Sequence, residues 1–227
     1  MMSARLWLVG AATAVALSST VAVASVVVVR SLGPSSKAYP PGKTLTESAK
    51  ITLQGGDVVT VLGPNSAQTL RGPGNFNTST VSLASAAGKR GRFGALRAGE
   101  IAKNPSVWDI DATQDGKVCI TDVSKLQLWR PDSEAEASVN IRTADGTAQP
   151  VTWVAGNSSV AWPANLPLVS GADYQIEWQD TGEKSTVTIV KVPPSGDDLV
   201  DAAQVLIQNG CNNQLDVLVD SASKMGK

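Results

Sequence analysis

The stretch DATQDGKVCITD, residues 111–122, carries the sharpest spacing of oxygen-bearing side chains in the chain. Asp111, Thr113, Asp115, Gly116, Val118 and Asp122 fall at positions 1, 3, 5, 6, 8 and 12 of a calcium loop of the EF-hand kind. In such a loop, side-chain and carbonyl oxygens surround the ion and the glycine permits the sharp turn. Here position 12 is Asp where the loop uses a bidentate Glu, and position 3 is Thr. No helix is predicted ahead of the motif and no second copy follows it. An Asp-Gly hairpin turn between two strands accounts for the same letters. The turn is the reading adopted, with calcium at Asp111, Thr113, Asp115 and Asp122 as its rival.

Other chemistry is bounded by one number: the chain has no histidine. Imidazole is the commonest general base near neutral pH and a leading transition-metal ligand, so Ser-His-Asp and Cys-His hydrolysis and His-containing zinc sites are excluded. Carboxylate-pair catalysis survives, because Asp109, Asp111, Asp115 and Asp122 cluster in sequence and glycoside hydrolysis needs only two carboxyl groups at a set separation. Clusters of this kind are ordinarily turn residues. No glycine-rich phosphate loop of Walker or Rossmann spacing occurs. The expectation is a non-catalytic chain without a cofactor. The formal net charge of -1 gives no global field for nucleic acid, and no nucleic-acid partner is expected.

Cys119 and Cys211 are the two cysteines, and an even count suggests a disulfide if the chain leaves the cytoplasm. The N-terminus points the same way. Arg5, an apolar run from Leu6 to Leu17 and the small-residue site Ala22-Val23-Ala24 fit a secretory signal peptide over 1–24, cut after Ala24. The rival is an uncleaved anchor over 6–29, since no charge interrupts the stretch before Arg30 and a helix of that length spans a bilayer. Attachment to the inner membrane would follow from that rival. The expected location is periplasmic or extracellular.

The elements that would position these residues are short. Residues 25–48 are rich in Ser, Pro, Gly and Lys and read as a linker. Strand-like pieces broken at Gly55-Gly56, Gly63-Pro64-Asn65 and Gly72-Pro73-Gly74 make a small β module over 49–84. In that module, GDVVTVL followed by a turn and TLRGPG resembles the repeated hairpin units of FecR-like periplasmic domains, and it is similar to a family of exported alphaproteobacterial proteins. The resemblance implies a periplasmic β module. The calcium-loop motif with TDVSKLQLWR behind it likewise resembles one half of a dockerin repeat.

Residues 85–105 form a basic connector holding Lys89, Arg90, Arg92, Arg97 and Lys103 against Glu100, a candidate anion patch or else a solvated linker. Eight alternating segments over 106–193 read as an Ig-like β-sandwich. Trp108, Trp129, Trp153, Trp162 and Trp178 all fall in these segments, as core residues or as a sugar-stacking platform. The tail 194–227 turns to helical spacing, with Leu199, Ala203, Leu206 and Ile207 in one stripe, Asp197, Asp198 and Asp201 at its start, and Asn209-Gly210 as a cap. The fold class is mainly β: a small N-terminal β module plus an Ig-like β-sandwich with a C-terminal helix. The expected role is that of an exported accessory or binding protein contacting an envelope protein or glycan. Carbohydrate recognition or hydrolysis and calcium-dependent docking stand as alternatives.

Overall fold

The computed structural model describes residues 25–46, 48–79, 104, 106–195 and 198–225. The signal peptide expected over 1–24 lies outside these residues. So does the basic connector, Asn104 excepted.

The valine run at 26–29 builds the first module. Ser25–Leu32 (β1) is an inner strand of a four-stranded antiparallel sheet with Thr44–Thr46 (β2), Val58–Leu62 (β4) and Ala67–Arg71 (β5), in the order β2-β1-β4-β5. Lys50–Leu53 (β3) and Gly74–Asn77 (β6) form a two-stranded sheet. Val26 and Val28 point into a core with Ile51, Leu53, Val59, Val61 and Leu70, while Val27 and Val29 point to the opposite face. A strand buried on both faces reads as an unbroken apolar run. The linker expected over 25–48 is therefore corrected: its start is an inner strand of the module, with Val26 to Val29 buried, and its Pro-Gly stretch is the connection to β2. The last residues of the rival anchor over 6–29 belong to the same strand. Among the described residues no helix is long and apolar enough to cross a membrane.

The second module is a sandwich. Ala148–Trp153 (β11), Ala137–Thr143 (β10), Asp173–Trp178 (β13), Lys184–Lys191 (β14) and Gly116–Ile120 (β8) form one sheet in that order. Ser159–Ala161 (β12), Gln127–Trp129 (β9) and Ile110–Asp111 (β7) form the facing sheet. Ile110 and Leu128 from the second pack against Val139, Ile141, Ile176, Val187 and Ile189 from the first. The Trp153 indole N–H donates to the Leu128 carbonyl at 3.1 Å and so crosses between the sheets. Tyr174, at the head of β13, donates its hydroxyl back to the Pro167 carbonyl at 2.8 Å, the tyrosine-corner arrangement of Ig-like sandwiches. The expected hairpin at Asp115-Gly116 is also corrected. β7 pairs parallel with β9 and β8 pairs parallel with β14, so the chain crosses from one sheet to the other there.

The tail is a helical hairpin, Leu199–Asn209 (α1) and Asn212–Met225 (α2). Asp198 caps α1 by accepting the Val200 N–H at 2.8 Å, and Gly210 closes it in the left-handed conformation. Val200, Ala202, Ala203 and Leu206 are the buried residues of α1; Leu199 and Ile207, expected in the stripe, lie at its half-buried margin. The hairpin is shared by both modules. It joins Val27, Val29 and Leu62 of the first to Cys119 and Val192 of the second in one core.

One carboxylate organises the turns of the first module. Asp57 is buried, and its oxygens accept the Ser35 N–H at 2.9 Å and the Gln54 N–H at 2.5 Å. Gly33, at φ +100°, passes so close that a Cβ would lie 2.5 Å from Asp57 Oδ1. Burial pushes the Asp57 carboxyl up, but hydrogen bonds from the side chain and backbone of Ser35 and from the Gln54 backbone outweigh it, holding the group below its ordinary value. A lowered carboxylate contributes stability above its unfolded pKa of about 3.9, and that contribution is lost as pH falls through the folded value. Asp57→Asn is therefore expected to lower the melting temperature near neutral pH, with the gap to the native chain closing below about pH 4. Thermal unfolding across that range checks it; a gap that stays constant into acid would refute the assignment.

Candidate functional site

The joint where β8 meets the helical hairpin holds the disulfide and the buried side chain of Gln214. Cys119 in β8 is bonded to Cys211, which lies between α1 and α2, with their Cα atoms 5.9 Å apart and the two residues 92 positions apart in sequence. Both cysteines are fully buried. One turn on, Gln214 presents its side-chain amide to the free edge of β8. Its Oε1 accepts the Cys119 N–H at 2.6 Å, and its Nε2 donates to the carbonyls of Cys119 at 2.9 Å and Val107 at 2.7 Å. The amide thus pairs with β8 as a neighbouring strand would, satisfying a sheet edge that the helix covers.

Beside this amide is a cleft of about 30 Å³, bounded by Ser106, Asp109, Asp111, Gln114, Asn213 and Gln214. It has room for a water molecule or two. Burial pushes the Asp109 carboxyl above its ordinary value, and a hydrogen bond from the Ser106 side chain offsets part of that. A second hollow of about 330 Å³ lies between the Val107–Trp108 segment and the hairpin, bounded also by Thr121, Asp198, Leu199, Ala202 and Leu218.

The calcium-loop residues do not converge on a common point. Asp111 accepts the Thr113 N–H at 2.9 Å and hydroxyl at 2.6 Å on Oδ1, and the Gln114 amide at 3.1 Å on Oδ2. Asp115 accepts the Thr186 N–H across the sheet at 2.6 Å. Asp122 caps the 3-10 turn Val123–Lys125 through the Ser124 N–H and hydroxyl at 2.9 and 2.7 Å. Val118 is a residue of β8, which extends where the calcium loop would curl. Among the described residues no group of three Cys, Asp or Glu side chains could hold a metal ion.

The tryptophans are structural. Trp129, Trp153 and Trp162 are buried, and Trp108 and Trp178 are half-buried. Trp153 stacks on Trp178 with ring centres 5.6 Å apart, while Trp162 meets the edge of Tyr174 and donates its N–H to the Leu166 carbonyl at 2.9 Å. Among the described residues no row of open indole faces is left for a sugar ring. The candidate anion patch of Lys89, Arg90, Arg92, Arg97 and Lys103 lies outside the described residues.

No family model, no curated protein and no solved structure matches the chain.

Two residues of consequence escaped sequence reading. Arg130 is 3% exposed, and in place of a carboxylate it has the carbonyls of Asn157, Ala135 and Val154, at 3.1, 2.6 and 3.4 Å, together with the face of Trp153. Its position, following the buried pair Leu128 and Trp129, carries no local signal. Gln214 did carry one. It sits among Cys211, Leu215 and Leu218 in a helical stripe that is otherwise apolar, and a polar residue there needs buried partners.

Gln214→Leu is expected to destabilise the fold by about 3 kcal/mol, because it leaves buried backbone groups of Cys119 and Val107 without partners. Urea unfolding measures it, and a loss under about 1 kcal/mol would mean that water replaces the amide without cost. For Asp109, a raised folded pKa means that the buried charge opposes folding once the pH exceeds the unfolded value. Asp109→Asn should therefore raise the melting temperature at neutral pH, and the gain should vanish below about pH 4. Destabilisation at neutral pH would overturn that sign.

Proposed function

We propose that this chain is an exported accessory protein of the cell envelope that works by non-covalent contact with a protein or another envelope component, without catalysis. The observation that carries the proposal is the Cys119–Cys211 disulfide, closed between a sheet edge and a helical hairpin at the centre of the fold. Disulfides persist in oxidising compartments such as the periplasm and extracellular space. The N-terminal sequence supports export independently through Arg5, the apolar Leu6–Leu17 stretch and Ala22-Val23-Ala24. Cleavage after Ala24 would release a chain beginning at the first residue of β1, whereas an anchor extending to Val29 would compete for valines that fill both faces of the sheet. The FecR-like reading of the first module accords with a periplasmic location. The carbohydrate alternative is disfavoured by the burial of Trp129, Trp153 and Trp162.

Intact mass of the chain recovered from native envelopes, without reductant, tests the compartment. The expected mass is that of residues 25–227 less two hydrogens. A full-length mass with two free thiols would place the protein on the reducing side and end the proposal. Co-purification of a stoichiometric envelope component in the same preparation tests the contact role.

A further inference from the structure

The buried apolar residues fall into three separate cores, and the boundaries between them decide what can move alone. One core lies between the sheets of the sandwich and another inside the first module. The third is closed by the helical hairpin over Val27, Val29 and Leu62 of the first module and Cys119 and Val192 of the second. Lifting α1 and α2 dissolves that third core and leaves the other two closed. The hydrogen bonds divide in the same way. Neither helix adds to a sheet, and among the described residues the backbone-to-backbone bonds of the hairpin stay within residues 198–225. Its polar ties to the modules come from side chains, among them Gln214 on β8, Asn213 on the Asp115 carbonyl at 2.9 Å and Gln204 on the Thr44 hydroxyl at 2.9 Å. What the hairpin holds is therefore one module to the other, with the interior of each module complete without it.

The disulfide is placed to restrain such a unit. In β8, Val118 and Ile120 belong to the sandwich core and Cys119 to the core under the hairpin, so the bond lies where lifting the hairpin bares it. Both cysteines are 0% exposed, and a thiol reaches them only when that happens. Val190 pairs with Cys119 across β14 and β8, so while the sandwich stays folded the bond closes only the loop from residue 190 to residue 211. Closing a loop of about 20 residues shifts an opening equilibrium by roughly 100-fold. We infer that the hairpin is a redox-gated latch, which lifts as one unit off modules that keep their own cores and which the Cys119–Cys211 bond holds shut. A soluble dithiol releases it. The dithiol's thiolate attacks one sulfur, the other leaves as a thiolate and takes up a proton, and the second thiol resolves the mixed disulfide. Two electrons and two protons pass to the cysteines, and the dithiol closes its own disulfide. Each opening then bares Val27, Val29, Leu62 and Val192. The inference goes beyond the export reading and does not depend on it.

Hydrogen exchange of the full chain, oxidised and reduced, reads the latch directly, because helices this short do not persist in water once undocked. Reduction should speed exchange across α1 and α2 together by roughly 100-fold, with β10, β13 and β14 unchanged. Exchange rising equally in the hairpin and the sandwich, or hairpin amides that reduction does not move, would overturn the inference. The rate at which dilute dithiothreitol reduces the oxidised chain gives a second reading. Leu206→Ala, in the core under the hairpin, should speed that reduction by at least about 30-fold. Ile141→Val, in the sandwich core, weakens the sandwich alone and should leave the rate unchanged. Acceleration by Ile141→Val of about threefold or more would mean that the bond is reached only through global unfolding, and the latch would be excluded.

Discussion

The joint between β8 and the helical hairpin is the constraint on which the rest of this structure depends. A bond closing a loop of about 90 residues is worth on the order of 4 to 5 kcal/mol in the chain-entropy model, a large share of the 5 to 15 kcal/mol that separates a typical domain from its unfolded state. Its position matters as much as its size. The hairpin covers the second face of the first module, through Val27, Val29 and Leu62, and also the edge of the sandwich. Without the hairpin, β1 would be covered on one face only. The disulfide fixes the hairpin at Cys211, Gln214 fixes its register one turn later, and Arg30 pairs with Asp216 at its exposed margin. Covalent, hydrogen-bonded and ionic contacts thus pin α2 to both modules.

That arrangement explains why residues that look reactive are structural. A small β protein has many turns, and each turn has backbone N–H groups that need acceptors. Asp57, Asp111, Asp122 and Asp145 meet that need locally, and the hydrogen bonds they accept hold the carboxyls of Asp57, Asp122 and Asp145 below their ordinary range. Arg130 does the reverse, donating to the loop carbonyls of Ala135, Val154 and Asn157. A calcium loop and a chain of Asx turns use the same residue types at the same short spacings. What separates them is whether the oxygens face one another or the backbone.

Legibility in the sequence followed the length scale of the cause. The eight strands of the sandwich, the acidic start of the tail helix and the Gly210 stop are local signals, and they were readable. The pairing of Cys119 with Cys211 was readable because two cysteines allow one bond. The valine run was not, because four apolar residues continuing an apolar stretch carry no period by which to distinguish strand from helix. Only the antiparallel pairing with β4 and the two cores on either face define it as a strand. The sheet change at Asp115-Gly116 failed for a related reason. An Asp-Gly pair specifies a sharp turn but does not specify whether the next strand returns to the same sheet, and here the parallel pairings of β7 and β8 decide.

The tryptophans show how composition constrained the core. Residues 106–193 hold five tryptophans, one tyrosine and no phenylalanine, so most of the large aromatic volume in the sandwich comes from indole. Indole brings an N–H that must be satisfied when buried. Trp153 satisfies it on the Leu128 carbonyl of the opposite sheet and Trp162 on the Leu166 carbonyl of an adjoining loop. Each bond converts a requirement of burial into a directional tie. The tie from Trp153 also fixes the ring over which Arg130 lies, and Arg130 in turn gathers the loops at residues 135, 154 and 157. A phenylalanine at 153 would fill much of the same volume, but it would lose the tie to Leu128 and set the guanidinium above a less strongly attracting ring. The two sheets are therefore held in register by polar contacts within an apolar core, and the loops at that end of the sandwich inherit their order from it.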